Sequence, residues 1–165
     1  MSRRPIAAVA LACLCAAGVG CTKDKDKGAL LELRPVVAST PPPCGTKAPR
    51  KSELLLPKTT EGKVDECLEL GTPIVDAKDV RSATVAETPL KEPALSVVLG
   101  GVGSANLDGF AERNIGKRLA IVTDGQLVSA PEVQFEKFFG RVQVTGLSKE
   151  KTDDLFRRLN DVIKG

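Results

Sequence analysis

Few residues of this chain have the type and spacing that chemistry requires. The run Gly100-Gly101-Val102-Gly103 precedes a helical pattern, and backbone N–H groups at such a helix start can bind phosphate. The run lacks the third Gly of a dinucleotide motif and the Gly-Lys-Ser/Thr of a phosphate-binding loop. A tight turn between a strand and a helix is therefore the favoured interpretation.

Carboxylates occur in two patterns that suggest cation binding or catalysis. The segment Asp24-Lys25-Asp26-Lys27-Gly28 resembles the start of a calcium loop, but it lacks a third oxygen ligand and a downstream Glu. We interpret it as a solvated tether. Asp124 precedes Gly125, and a type I′ hairpin turn favours this pair because both central residues adopt positive φ. The pair therefore predicts a turn and not an active site.

Ser129 is the remaining candidate for a nucleophile. The chain contains no His, so the base would have to be a desolvated Lys such as Lys117. The spacing does not support this pair, and we predict no catalytic residues, no cofactor and no enzyme activity. We also predict no metal site, since two Cys without any His cannot fill four ligand positions.

The first twenty residues have the order of an export signal. Arg3 and Arg4 precede an uncharged run at 6–20, which is short for a membrane span. The run ends in small residues directly before Cys21, an order that lipoprotein signal peptidases recognise. We predict cleavage before Cys21 and attachment of diacylglycerol to its thiol. Ordinary cleavage near Gly20 and an uncleaved anchor are the alternatives.

The five Cys of the chain divide according to this processing. Cys13 and Cys15 would leave with the signal, and Cys21 would carry the lipid. Cys44 and Cys67 remain as an even pair, which is expected to form a disulfide outside the cytoplasm. Closing their loop would stabilise the domain by about 3 kcal/mol in the chain-entropy model. Two unpaired thiols are the alternative.

The composition indicates one modest soluble domain, with 27% charged and 42% hydrophobic residues. Outside the first twenty residues the chain carries 22 basic and 21 acidic side chains, a balance that argues against nucleic acid as a partner. All five Phe lie in the C-terminal half, and aromatic rings bury much area. We therefore expect the core in residues 93–165 and a looser, loop-rich region at 38–92.

Apolar spacing predicts the elements that would position these residues. Strands are predicted at 30–37, 94–99, 118–123, 126–130 and 141–145. Pro35 lacks a donor and places the first strand at a sheet edge. Between 44 and 92 we expect loops and one or two short strands. The fold class is α+β, a small antiparallel sheet with two main helices packed on one face.

The two helices are predicted from caps and apolar stripes. Ser104 is the expected N-cap of the first helix, which Gly116 would end, and Ser148 that of the second. The first stripe consists of Leu107, Phe110, Ala111 and Ile115, and the second of Leu155, Leu159, Val162 and Ile163.

Motifs between residues 103 and 159 resemble a known family. They are Gly103-x-x-x-Leu107-x-x-x-Ala111-x-x-Asn114-x-Gly116-Lys117, residues 119–125, Val128-Ser129-Ala130-Pro131, Val144-Thr145-Gly146 and Ser148-Lys149-Glu150. In this order they are similar to the periplasmic P1 head of SecD, in the SecDF accessory family of bacterial protein export. Fainter likeness at 31–36 and 76–83 extends the resemblance to most of 29–165. It implies a non-catalytic domain that contacts emerging chains or translocon components.

The sequence thus predicts a lipoprotein signal at 1–20, a charged tether at 21–28 and a head-like domain at 29–165. The expected function is protein binding in the cell envelope, by an extracytoplasmic protein that a lipid on Cys21 anchors to the membrane and that assists export. The alternatives are a small hydrolase or ligand-binding lipoprotein on the same scaffold, and an envelope protein without a specific ligand. An apolar groove or exposed hydrophobic patch favours the first function, and a deep pocket with converging polar groups favours the second.

The hairpin at 119–130 and the strand at 141–145 are expected to form the rigid sheet. Partner binding is expected in the 38–92 region or at an exposed sheet edge, because loops on a rigid scaffold are common binding sites. The run Leu54-Leu55-Leu56 is the candidate contact within that region. Its replacement by Ser is expected to leave the melting temperature nearly unchanged.

Overall fold

The computed structural model describes residues 29–45, 54–60 and 62–165. The elements are β1 (Glu32–Thr40), β2 (Leu54–Thr60), β3 (Lys63–Leu70), β4 (Val75–Asp76), a 3₁₀ turn (Ala77–Asp79), β5 (Val80–Glu87), β6 (Pro93–Leu99), α1 (Gly101–Ala111), β7 (Leu119–Thr123), β8 (Gln126–Ser129), β9 (Arg141–Thr145) and α2 (Lys149–Lys164). The α+β class with antiparallel strands and two main helices is confirmed. The predicted signal, the tether with its Asp24–Gly28 motif, and Cys21 lie outside the described residues.

The strands divide into two antiparallel sheets. The larger sheet has the order β2-β3-β1-β7-β8, with β4 also paired to β1, and the smaller sheet has the order β5-β6-β9. The expectation that the hairpin and the strand at 141–145 share one sheet is therefore wrong. The described part of residues 44–92 contains four strands where one or two were expected. The pairing of β2 with β3 joins Leu54 to Leu70 and Leu56 to Leu68, a contact that the Pro- and Gly-rich composition conceals.

Pro35 lies in a central strand, so its predicted edge position is wrong. Val36 donates its N–H to Arg118 O on the β7 side, which directs the Pro35 nitrogen to the opposite side of β1. On that side the chain passes from β3 to β4, and Pro35 O accepts a hydrogen bond from Gly71. The missing N–H therefore removes no ladder hydrogen bond at this position.

The main core lies between the larger sheet, the smaller sheet and the two helices. Its buried members include Leu33, Leu95, Leu107, Leu155 and Leu159. The expectation that the core is confined to residues 93–165 is wrong, because it also contains Leu31, Leu33, Val75 and Val80.

The predicted helical stripes are only partly buried. Ile115 lies beyond the end of α1 and is half exposed. Val162 is also exposed, and Thr152 is buried in its place. Residues 152, 155, 159 and 163 follow the spacing of three and four that keeps side chains on one helix face, and Val162 lies beside that row.

A second, smaller apolar cluster lies on the opposite face of β1 and β7. It consists of Leu68, Leu70, Ala120 and Val122, with Leu54, Leu56, Leu127, Val36 and Ala130 packed against it. The expectation that the Leu54–Leu56 run forms a dispensable contact surface is therefore wrong, since two of its three side chains face this cluster. A disulfide joins Cys44 to the buried Cys67, which directly precedes Leu68 of this cluster on β3.

Close packing at the start of α1 accounts for the run of glycines at 100–103. Gly100 is the N-cap and donates its N–H to Asp79 O at 2.7 Å, so the prediction of Ser104 as the cap is wrong. A Cβ at Gly103 would lie 2.6 Å from the Asp79 Cβ, closer than real side chains approach. The glycines thus let the helix start lie against the 3₁₀ turn.

The hairpin forms at the predicted pair. Asp124 and Gly125 have φ values of 51° and 72°, the positive values of a type I′ turn. Arg158 of α2 donates an Nη1–H to Asp124 Oδ2 at 2.9 Å, so the turn is also fastened to the last helix.

Gly125→Val is expected to destabilise the domain by about 1–3 kcal/mol, because a β-branched residue resists positive φ. Urea denaturation measures the change in the free energy of unfolding. Gly101→Ala is a suitable control, since an added Cβ there meets nothing within 4 Å. An unchanged denaturation midpoint for Gly125→Val would contradict this account of the turn.

Candidate functional site

The chain continues along β7 after the hairpin and leads into an aromatic segment. Leu119 donates its N–H to Pro131 O at 2.9 Å, and Val133 donates to Lys117 O at 2.8 Å. Val133 is buried in the main core. These contacts anchor the start of residues 134–140, here called the Phe loop.

The Phe loop presents two aromatic side chains to solvent. Phe135 is 68% exposed and Phe139 is 77% exposed, whereas Phe138 packs against the main core. The expectation that the Phe residues serve the core is therefore wrong for these two. Because exposed apolar patches on soluble domains often mark interaction sites, the pair identifies a candidate contact surface.

Asp108 of α1 holds the Phe loop in place. Its Oδ1 accepts hydrogen bonds from the N–H of Phe138 at 2.8 Å and of Phe139 at 3.2 Å. Phe139 has a φ of 53°, which is uncommon for a residue other than Gly and requires support from its surroundings. The next residue, Gly140, is buried against Ser104, one turn before Asp108 on α1. The helix thus fixes the backbone that presents Phe139.

An apolar groove of about 190 Å³ lies beside the Phe loop. It is lined by Leu33, Leu119, Ile121, Pro131, Glu132, Val133, Gln134, Phe135, Phe138, Arg141, Val142 and Gln143. Its two charged lining residues, Glu132 and Arg141, have opposite signs. Small-molecule pockets are usually about 300–1,000 Å³, so this groove suits one or two apolar side chains better than a whole ligand.

A larger pocket of about 490 Å³ lies between the hairpin and the start of α2. Two of its three lining carboxylates, Asp124 and Asp154, accept hydrogen bonds from Arg158. The hydrogen bond to Asp124 raises the pKa of Arg158 further above its usual range. The pairing with Arg158 thus leaves Glu150 and Lys151, which are both exposed, as the other charged groups that line this pocket.

The structure does not support the Ser129 and Lys117 pair as catalytic residues. Lys117 is exposed, and its Nζ donates to Asn114 Oδ1 at 3.0 Å, so it is not a desolvated base. Within the described ranges, no group of three or more His, Cys, Asp or Glu residues is placed to bind a metal ion. None of the helices in the described part of the chain is long and apolar enough to cross a membrane.

Glu66 of β3 connects β1, β2 and the residue that precedes β7 at the polar end of the larger sheet. Its carboxylate accepts two hydrogen bonds from Arg118, both at 2.9 Å, one from Ser39 at 2.6 Å and one from Lys58 at 2.9 Å. Arg118 also donates its Nε–H to Ala130 O at 3.2 Å. The hydrogen bonds from Arg118, Ser39 and Lys58 lower the pKa of Glu66 from 4.5 to about 2.

Glu66→Gln is expected to remove about 1–2 kcal/mol of stability at pH 7, because the carboxylate is mostly buried while Lys58 is partly screened by solvent. Because the pKa of Glu66 is lower in the folded state than in the unfolded state, its ionised form stabilises the fold above pH 4.5. This contribution is lost as the pH falls from 4.5 towards 2. Urea denaturation should therefore show a smaller difference in the free energy of unfolding between Glu66→Gln and the unaltered protein at pH 3 than at pH 7. Glu69→Gln is the control on the same strand. An equal difference at both pH values would contradict this assignment.

Sequence reasoning missed the Phe loop because its residues show no period. Charged residues separate Phe135 from Phe139 without a regular spacing, and both Phe residues lie outside the helices and strands. Several Phe residues in a segment without a strand or helix pattern were the available signal. Of the predicted regions for partner binding, only an exposed sheet edge adjoins the groove, namely Arg141 to Gln143 of β9.

Comparison with known proteins places this geometry in context. Residues 54–161 match the family model described as SecDF, P1 head subdomain. Protein translocase subunit SecD of Aquifex aeolicus (strain VF5) is 40% identical over 74 residues, which cover 45% of this chain and 15% of that protein. Protein translocase subunit SecD of Treponema pallidum (strain Nichols) is 31% identical over 83 residues, which cover 50% of this chain and 14% of that protein. The chain thus spans a small part of the length of these relatives.

Solved structures share the fold. A structure of SecDF, described as a membrane component that enhances protein export, superimposes with a TM-score of 0.57 at 22% identity, covering 81% of this chain and 63% of that one. SecDF in its super-membrane-facing form gives a TM-score of 0.56 at 21% identity, covering 83% of this chain and 19% of that one. The α+β arrangement described above is therefore also found in those proteins.

Proposed function

Since the chain belongs to the family of the SecDF P1 head subdomain, we propose that it is a membrane-anchored extracytoplasmic lipoprotein whose head domain binds protein chains and assists protein export. The observation that carries the proposal is the pair of exposed rings on the Phe loop, Phe135 and Phe139, of which Phe135 lines an apolar groove with balanced charge. Such a surface suits apolar segments of unfolded chains. The relatives named above are protein translocase subunits, which supports a role for this chain in protein translocation.

The proposed role is binding and includes no catalytic step. Asp108, Gly140 and Ser104 hold the Phe loop against α1, so the exposed rings are presented on a rigid support. A preformed surface binds without first losing conformational entropy in the loop. The partners would be unfolded exported chains or components of the translocon, and the protein would work in the cell envelope.

The proposed anchor is a lipid on Cys21. Its support is the sequence order of two Arg, an uncharged run and small residues before Cys21. Cys21→Ser is expected to change the mature mass and to release the protein from the membrane fraction, which mass spectrometry and fractionation measure. Unchanged mass and retention would refute the lipid anchor while leaving the binding role open to its own test.

Site-specific photo-crosslinking in living cells tests the binding role. A crosslinker at Phe139 should capture an exported reporter chain during its synthesis or a translocon component, identified by mass spectrometry. The matched control is Leu90, an apolar residue that is 81% exposed in the turn between β5 and β6. Equal crosslinking at both positions, or none at Phe139, would overturn the proposed function.

A further inference from the structure

The smaller sheet ends in a strand whose outer edge is open. β9 pairs with β6 on one side, and no strand within the described ranges pairs with its other side. Leu99 of β6 donates to Gly140 O, whereas Arg141 donates its N–H to Phe138 O. Backbone groups alternate along a strand, so the N–H and C=O groups of Gln143 and Thr145 also point away from β6. An open edge of this kind is a template for a further strand.

The open edge of β9 forms one wall of the apolar groove. Residues 141–143 line that wall, residues 131–135 line the opposite wall, and Leu33, Leu119 and Ile121 lie between them. The opposite wall belongs to the chain that continues along β7. The groove is thus a gap between the edges of the two sheets, with main-core side chains at its base.

The gap narrows towards the hairpin. A Cβ at Gly146, directly after β9, would lie 3.8 Å from Val128 O of β8. The two sheets therefore approach each other at this end and separate at the Phe loop. The geometry leaves room beside Gln143 that is not present beside Gly146.

We propose that this gap binds an extended, uncharged, apolar polypeptide segment, which adds to β9 as a further strand and places alternate side chains in the groove. The proposal rests on the proposed function and specifies its contact surface. Strand addition obtains affinity from main-chain hydrogen bonds, and pockets for alternate side chains provide specificity.

Three observations select this occupant over others. The open backbone groups of Gln143 and Thr145 require donors and acceptors at strand spacing, which an extended chain supplies. The volume of about 190 Å³ admits individual side chains. Glu132 and Arg141 balance each other, so the lining complements a segment without net charge. Phe135, an exposed lining residue, would cover the apolar side chains of the bound segment.

Gln143→Pro tests the main-chain contact directly. The Gln143 N–H points to the open edge, so its removal spares the pairing with β6, and Pro is tolerated on edge strands. The probe is a fluorescently labelled, uncharged peptide of about ten Val, Thr and Ala residues, a typical upper length for one strand. Its affinity for the full chain, measured by fluorescence anisotropy, should fall about tenfold or more in Gln143→Pro.

Gln143→Ala is the matched comparison, since it shortens the same side chain and keeps the N–H. Its affinity for the peptide should fall by about twofold at most, as expected for loss of an exposed polar side chain. Equal effects of the two substitutions would overturn strand addition. Thermal melting of both variants verifies that they remain folded.

N-methylated peptides provide a test that does not depend on the folding of a variant. Alternate N–H groups of a strand point to opposite sides, so only one set can face β9. Methylation at odd-numbered positions and methylation at even-numbered positions should therefore differ, with one set abolishing binding and the other retaining it. Equal loss or equal retention would overturn strand addition while peptide binding itself stands. Failure of the unmethylated peptide to bind the unaltered protein would overturn this inference, and failure of crosslinking at Phe139 would overturn the proposed function.

Discussion

Changing Leu54 and Leu56 together to Ser is expected to lower the free energy of unfolding by about 3–5 kcal/mol. Both side chains pack against the cluster of Leu68, Leu70, Ala120 and Val122. The change would remove apolar contacts and place two hydroxyl groups beside a cluster that supplies no partners for them. Because a domain of this size has a total stability of about 5–15 kcal/mol, the change would remove a large fraction of that stability.

Urea denaturation followed by circular dichroism measures this loss. Leu55→Ser is the matched control, because Leu55 lies between the two on the same strand and its side chain points to the other face. The control should change the free energy of unfolding by less than about 1 kcal/mol. If the double variant keeps the midpoint of the unaltered protein, the second cluster does not contribute as described.

The second cluster shows why residues 38–92 were misjudged from sequence. The run of three Leu has no alternation, and the surrounding Pro and Gly residues are typical of loops. Burial of Leu54 and Leu56 depends on Ala120 and Val122, more than sixty residues further along the chain. A local pattern carries no information about such a partner. The hairpin of β2 and β3 is itself a local pairing, but the burial of its apolar side chains is therefore a product of long-range contacts.

Elements with strong local signals were predicted well. Asp124 and Gly125 have the backbone angles of the predicted hairpin, and β9 has the predicted bounds of 141–145. Ser148 caps α2 and accepts the N–H of Lys151 at 3.3 Å. At the turn and the cap the residue type itself restricts the backbone or satisfies a free N–H group, and in β9 polar and apolar residues alternate, so neighbouring residues are sufficient for these predictions.

The candidate site could be predicted only in part. An exposed sheet edge was among the expected binding regions, and β9 supplies one. The assignment of β7 and β9 to different sheets creates the groove, and this division depends on pairing partners rather than on strand patterns. The positions of Phe135 and Phe139 depend on the contact of Asp108 with a segment thirty residues away. Neither feature has a local signature in the sequence.

The two sheets divide structural and binding roles in a physically consistent way. The larger sheet is fastened by Glu66 and by the second cluster, and the two apolar clusters lie on its opposite faces. The smaller sheet is covered by α2 and keeps the edge of β9 open. A strand added at β9 would therefore contact a surface that the core already holds in position, which favours affinity because little ordering is needed on binding.

Arg34→Leu is expected to cost about 3–5 kcal/mol, because it leaves a buried carboxylate without its cation. Arg34 donates to both Glu32 oxygens, at 2.7 and 3.1 Å, and to Gly71 O at 2.8 Å, and both side chains are about nine-tenths buried. The double variant Glu32→Leu with Arg34→Leu should recover part of the loss, since an apolar pair requires no charge compensation. Urea denaturation of the two single variants and the double variant gives the coupling energy. Additive losses, or a loss below about 1 kcal/mol for Arg34→Leu, would show that this ion pair is not the structural element described.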